Sequence, residues 1–172
     1  MCARTRFNQK ELGRLPGLLS LSEEVSAEYF KLTSFTQERF AYDVVTALDK
    51  GSYCRKKGVL AVLERYSREA PGEAPRTFFR ISLQDRNILA ALDRDDTLNF
   101  DDLMVFVFTH ELVHIVRFVL FYKSFYAQGA ERSDEEEKVQ EITMEILKKL
   151  KRRSMNTVLE KWGKAGQTDI LE

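Results

Sequence analysis

Apolar residues in this chain follow two rhythms. Towards both ends they recur every three or four positions, the spacing of one buried helix face; in the middle they alternate, the spacing of a strand with one buried side. Ser20-Leu21-Ser22-Glu23 has capping-box form and marks the start of a first helix. Ser34-Phe35-Thr36-Gln37 marks a second, because Phe40, Val44, Val45 and Leu48 follow at helical spacing and Gly51 supplies a stop. Residues 58–66 read as a strand, although Val59, Val62 and Leu63 also suit a helix. Pro71-Gly72-Glu73-Ala74-Pro75 is the clearest loop. Residues 77–83 alternate, with Phe79, Ile81 and Leu83 on one face, and residues 87–92 are expected to pair with them through a turn at 84–86.

The helical rhythm then returns. Asp101 and Asp102 suit the positive end of a helix dipole, so a long apolar helix is expected from about residues 99–102 to about residue 126, broken by Gln128-Gly129-Ala130. A further helix is expected to start near Ser133 and to run past Leu150. Its first turns are acidic (Asp134, Glu135, Glu136, Glu137) and its end is basic (Lys148, Lys149, Lys151, Arg152, Arg153), which matches the dipole and makes the basic run a solvated helix end. A short helix over 155–162 and a tail follow. The expectation is one α+β domain over residues 1–172, in the order helices, small sheet, helices.

Chemistry concentrates in His110-Glu111-Leu112-Val113-His114. The chain has 2 histidines, and both are here. Helical residues four apart lie about 40° from one another, so both imidazoles can point at one metal ion. Glu111, one residue round the helix, can reach a water on that metal. Apart from these three groups, residues 107–116 carry no charge, as expected of a helix in a protein interior. The competing reading is an apolar core helix whose histidines bond to neighbours. It leaves three buried ionisable groups without a role, which is costly.

Composition narrows the surroundings. A hydrophobic content of 44% over 172 residues is enough for a core. The 27 basic residues balance 27 acidic ones, which gives no support to a nucleic-acid or anionic-membrane partner. Of the two cysteines, Cys2 and Cys54, one lies near the N-terminus, so no disulfide framework is expected and a reducing compartment fits. No apolar signal-peptide core follows Met1, and the expected location is cytoplasmic. Residues 103–126 are rich in Phe, Val and Leu, but His110, Glu111, His114, Arg117 and Lys123 interrupt them. No second segment approaches the roughly 20 apolar residues that a membrane span needs.

Two histidines do not complete a catalytic zinc site, which usually has three protein ligands. The acidic cluster at 131–137 opens a helix able to pack antiparallel to the first. Val139, Ile142, Thr143, Ile146, Leu147 and Leu150 define that helix's buried face. Extended backwards, the face is flanked at similar angles by Glu135 and Glu136, while Glu137 and Glu141 point away. Helical phase leaves both candidates open, and Ser133-x-x-Glu136 also has capping-box form. Arg117, on the face of His110, is expected to brace the acidic helix through a salt bridge. A di-iron bundle would need a second ExxH, for which no histidine remains.

HExxH followed by a glutamate on the next helix resembles the gluzincin pattern. Glu136-Glu137-Lys138-Val139-Gln140-Glu141-Ile142-Thr143 is similar to the ExxANxFA segment of ImmA/IrrE-like metallopeptidases, departing from it at Val139, Gln140, Ile142 and Thr143. The single-domain size also resembles the small soluble minigluzincins. The resemblance covers residues 77–150. It implies a small zincin-like domain with a short β-sheet, an HExxH helix and a glutamate-bearing helix. It implies one zinc ion on His110, His114 and Glu136, with Glu135 in reserve. The implied activity is that of a zinc metalloendopeptidase acting on a peptide or protein substrate, with Glu111 as general base towards zinc-bound water. Tyr122 and Tyr126 are then available to an oxyanion, and an edge strand within 77–92 to an extended peptide. The glycine-containing tail 163–172 could lie in the same groove. The alternative is a catalytically silent zincin-fold regulator or binding protein.

Overall fold

Asn8, not Ser20, starts the first helix, α1 (Gln9–Phe30). Its Oδ1 accepts from Glu11 N at 2.9 Å, and Glu11 Oε2 accepts from Asn8 N at 2.8 Å, a complete capping box. Pro16 and Gly17 both lie inside the helix. The serines taken for a start are interior: Ser22 is buried and its hydroxyl donates to Leu18 O at 3.0 Å. The computed structural model describes residues 4–33, 40–46, 58–68, 71–72, 76–121 and 128–162, and the backbone of 169–171.

The helix expected after Ser34 is corrected where it can be seen. Residues 34–39 and 47–51 lie outside the described residues, and between them runs a strand, β1 (Tyr42–Val45). It pairs in parallel with β3 (Arg76–Leu83), Tyr42 opposite Phe79 and Val44 opposite Ile81. Tyr42, Val44 and Val45 suit a pleated surface, and pairing with β3 outweighs the helical spacing of Phe40, Val44 and Val45. β2 (Ala61–Arg68) runs antiparallel to β3, from Ala61 opposite Leu83 to Arg68 opposite Arg76.

Residues 87–92 are not a strand. They belong to α2 (Asp85–Arg94), whose first turn closes when Asn87 N and Ile88 N donate to Gln84 O. Ile88 and Leu89 are adjacent and both buried, which alternation cannot achieve and a helix can. The tail contributes β4 (Asp169–Leu171), parallel to β2, while residues 163–168 lie outside the described residues. The strand order is β1-β3-β2-β4. β3 is therefore interior and paired on both sides, so the peptide-binding edge expected within 77–92 is not free.

One face of this sheet, with Leu63, Phe79, Ile81 and Leu83, is buried. The opposite face carries polar pairs: Arg80 donates two bonds to Asp43 at 2.8 and 2.7 Å and lies over the Tyr66 ring. α3 (Phe100–Leu120) starts at Asn99, whose Oδ1 accepts from Asp102 N at 2.9 Å. Residues 102–117 are buried without interruption, because α1, α4, α5 and β2 surround this helix. It is long and apolar enough to cross a membrane, but 83% of its most apolar window is buried inside the chain.

α4 (Gly129–Lys148) begins earlier than expected, with Gln128 at the N-cap position but no side-chain capping bond, and Gly129 at φ +60°, a conformation glycine takes without strain. α5 (Arg153–Trp162) buries Met155, Val158, Leu159 and Trp162 at helical spacing, as expected. The described elements make a mixed α+β fold with the sheet on one side of a central buried helix.

Candidate metal centre

α3 delivers His110, Glu111 and His114, and α4 delivers Glu136. His110 Nε2 stands 3.6 Å from Glu136 Oε2, and His114 Nε2 stands 3.4 Å from Glu136 Oε1. Ligand atoms of all three residues lie within 4.8 Å of one another. Both imidazole–carboxylate distances exceed that of an ordinary N–H···O bond, about 2.9 Å. They fit two ligands held about 2.1 Å from one tetrahedral ion, which stand about 3.4 Å apart. His114 Nε2 and both Glu136 oxygens are buried without a hydrogen bond, a costly state unless the groups converge on a common partner. Two imidazoles and one carboxylate are a donor set suited to zinc.

The charge states agree with that fit. Burial disfavours protonation of His110 and lowers its pKa, although Glu136 pulls the other way. A neutral imidazole is the metal-binding form. Burial also opposes ionisation of Glu136, but His110 and His114 outweigh it and hold that carboxyl well below the usual range. Glu111 behaves oppositely. It is fully buried, neither oxygen has a hydrogen-bond partner, and burial followed by the nearby Glu136 charge push its pKa well above the usual value. The two carboxyls are thus driven to opposite states, Glu136 kept ionised and Glu111 made basic.

The choice between Glu135 and Glu136, open in sequence, is separated by packing. Glu135 faces Arg117, which donates to it at 2.5 and 2.8 Å in a buried bidentate pair. This is the bracing ion pair expected of Arg117. The capping box at Ser133 does not form, because α4 starts at Gly129 and Ser133 lies inside it. That leaves the Glu136 side chain to the histidines.

Two residues beside the site had no role assigned to them from sequence. Phe118 stacks on His114 at 5.7 Å and on Phe79 of β3 at 6.2 Å, so its ring packs between the imidazole and the sheet. Gln140 is buried beside His110. Each sits four residues after a candidate ligand, His114 and Glu136 respectively, and that spacing was the available signal. Tyr122 and Tyr126, the candidate oxyanion donors, lie outside the described residues. No protein-family model matches the chain, and no curated protein and no solved structure matches it either, so its reading rests on the chemistry of these side chains.

Proposed function

We propose that this chain is a zinc-dependent metallopeptidase of zincin-like, gluzincin type, a cytoplasmic enzyme that hydrolyses bonds in a peptide or protein substrate. The observation that carries the proposal is the convergence of His110, His114 and Glu136 within 4.8 Å, with Glu111 buried beside them and unbonded. Zinc held by His110, His114 and Glu136 would supply Lewis acidity to a substrate carbonyl and to water.

The chain's own groups do the rest. Glu111, made basic by burial, accepts the proton of the attacking water and returns it to the leaving amine. The Arg117–Glu135 pair fixes α4 against α3 and so keeps Glu136 opposite the histidines. Phe118 holds the His114 ring in place.

A second reading has its own observation. The oxygens of Glu111 and Glu136 and Nε2 of His114 are closed off from solvent, which suits a catalytically silent zincin-fold regulator. Metal analysis and a peptide-library assay with and without chelator separate the two. The enzyme is expected to carry one zinc ion, lost in His110→Ala and in His114→Ala, and to cleave peptides only without chelator. Stoichiometric zinc retained by both variants would sink the metal centre. A zinc-loaded chain that cleaves nothing would leave the silent regulator.

A further inference from the structure

The edge of the sheet opposite β4 is open. β1 stands at the end of the strand order, and among the described residues no strand lies beyond it. Phe79 N donates to Ala41 O at 2.8 Å, which sets the phase of the ladder. Alternate residues of a strand turn their backbone groups to the same side. Asp43 and Val45 therefore also face β3, and the N–H and C=O of Tyr42 and Val44 face away from the sheet. The side chains of Tyr42 and Val44 lie on the face of Phe79 and Ile81, their partners in register. β1 carries no lysine or proline of the kind that discourages a further strand.

A cavity of about 520 Å³ opens between β1 and α1, within the size range of ligand sites. Leu12, Leu15 and Leu19, at helical spacing on α1, line it together with Tyr42, Val44 and Phe108 of α3. Phe108 and His110 are two residues apart, about 200° round the helix, so the cavity lies across α3 from the metal centre. Charge in the cavity has one sign. Its described lining holds two acids, Glu23 and Asp43, and no base. Arg80 takes Asp43. Glu23 accepts from the Tyr42 hydroxyl, and among the described residues no lysine or arginine pairs with it.

We propose that the edge of β1 and the cavity beside it bind an extended peptide segment whose inward side chains are apolar apart from one lysine or arginine. The peptide pairs its backbone with Tyr42 and Val44 as a further strand. Its apolar side chains enter the cavity over Leu15 and Phe108, and its cation meets Glu23. A small apolar molecule fills the cavity but leaves the edge unpaired; a strand satisfies both. The site is separate from the metal centre and does not rest on the zinc reading.

The probes are fluorescein-labelled seven-residue peptides of alternating valine and threonine, with lysine at each position in turn, and the matching glutamate peptides. Fluorescence anisotropy on the full chain measures binding. The best lysine peptide is expected to bind about tenfold more tightly than its glutamate counterpart. Glu23→Gln keeps an acceptor for Tyr42 and is expected to erase that preference. Val44→Pro removes an outward N–H, which an edge strand tolerates, and is expected to weaken every peptide at least about tenfold. Binding is expected to be equal with zinc and with chelator; binding lost with chelator would put the peptide at the metal and overturn the proposal. No binding to wild type, or undiminished binding to Val44→Pro, also overturns it. So does a lysine preference that survives Glu23→Gln, and this variant alone decides the matter should Val44→Pro fail to fold. A wild type that is a dimer, and a monomer once Val44→Pro is introduced, would place a second copy on the edge and overturn the peptide.

Discussion

Glu111 is the residue at which binding and chemistry can be pulled apart. Its carboxyl is buried, unbonded and less acidic than usual. Glu111→Gln is expected to retain zinc and to lose peptidase activity, because an amide cannot accept the water's proton. The same substitution has a signature in the metal-free protein. A carboxyl whose folded pKa is raised binds its proton more tightly folded than unfolded. Its contribution to stability is intact below the ordinary value of 4.5 and is lost as pH rises from there through the raised folded value. His110 and Glu136, both with lowered pKa values, act in the other direction, losing stability as pH falls. Subtracting Glu111→Gln from wild type cancels them. Metal-free Glu111→Gln is expected to match wild type near pH 4 and to exceed it by on the order of 1–3 kcal/mol near pH 8. Denaturant melts across that range measure the difference, and equal stability at both ends would mean that the carboxyl is solvated. At this scale the two histidines and Glu111 were legible because one helical turn brings them together. Gln140 and Phe118 were not, because their partners belong to α3, β3 and α5, which only folding brings near.

Between elements, the contact of α3 with α4 decides which glutamate does what. Arg117 takes Glu135 in a pair whose side chains are about one-tenth exposed, and Glu136 is left to the histidines. Glu136→Ala is therefore expected to weaken zinc binding at least about 100-fold, through loss of a ligand, while the metal-free melting temperature stays close to wild type. Arg117→Met is expected to do the reverse first. It strands a buried carboxylate and costs about 3–5 kcal/mol of stability. Chelator competition and melts on both variants read the two effects separately; a loss of zinc in Arg117→Met equal to that in Glu136→Ala would assign Glu135 to the metal instead. Phase arguments could not make this separation, because both glutamates flank the buried face of α4 symmetrically. The elements themselves were legible where the period was long and uniform, as in α3 and α5. They were lost where the capping-box pattern Ser20-Leu21-Ser22-Glu23 falls in the interior of α1, and where short apolar runs such as Val44-Val45 and Ile88-Leu89 fitted either period.

At the scale of the whole molecule, the α+β character followed from the sequence, whereas the order of elements was displaced at β1, α2 and β4 and the strand order was not legible, since parallel pairing of β1 with β3 and of β4 with β2 joins segments distant in sequence. α3 touches α1, α4, α5 and β2, so it is the element through which local binding becomes global stability. A metal on His110, His114 and Glu136 would cross-link α3 to α4 at the centre of that network. It would bind the folded chain and not the unfolded one, in which residues 110 and 136 are far apart. Free zinc at 1,000 times its dissociation constant then stabilises the fold by about 4 kcal/mol. For a chain of this size each kcal/mol raises the melting temperature by about 2–4 °C, so zinc is expected to raise it by about 8–16 °C over the chelated protein. The transition should stay single and cooperative, because the cross-linked helices share one core. His110→Ala and His114→Ala are expected to melt at the same temperature with zinc or with chelator. Differential scanning calorimetry on the three proteins makes the comparison. A wild type indifferent to zinc would show that the convergence of these three side chains holds no ion, and a zinc-dependent shift preserved in both variants would place the ion elsewhere in the fold.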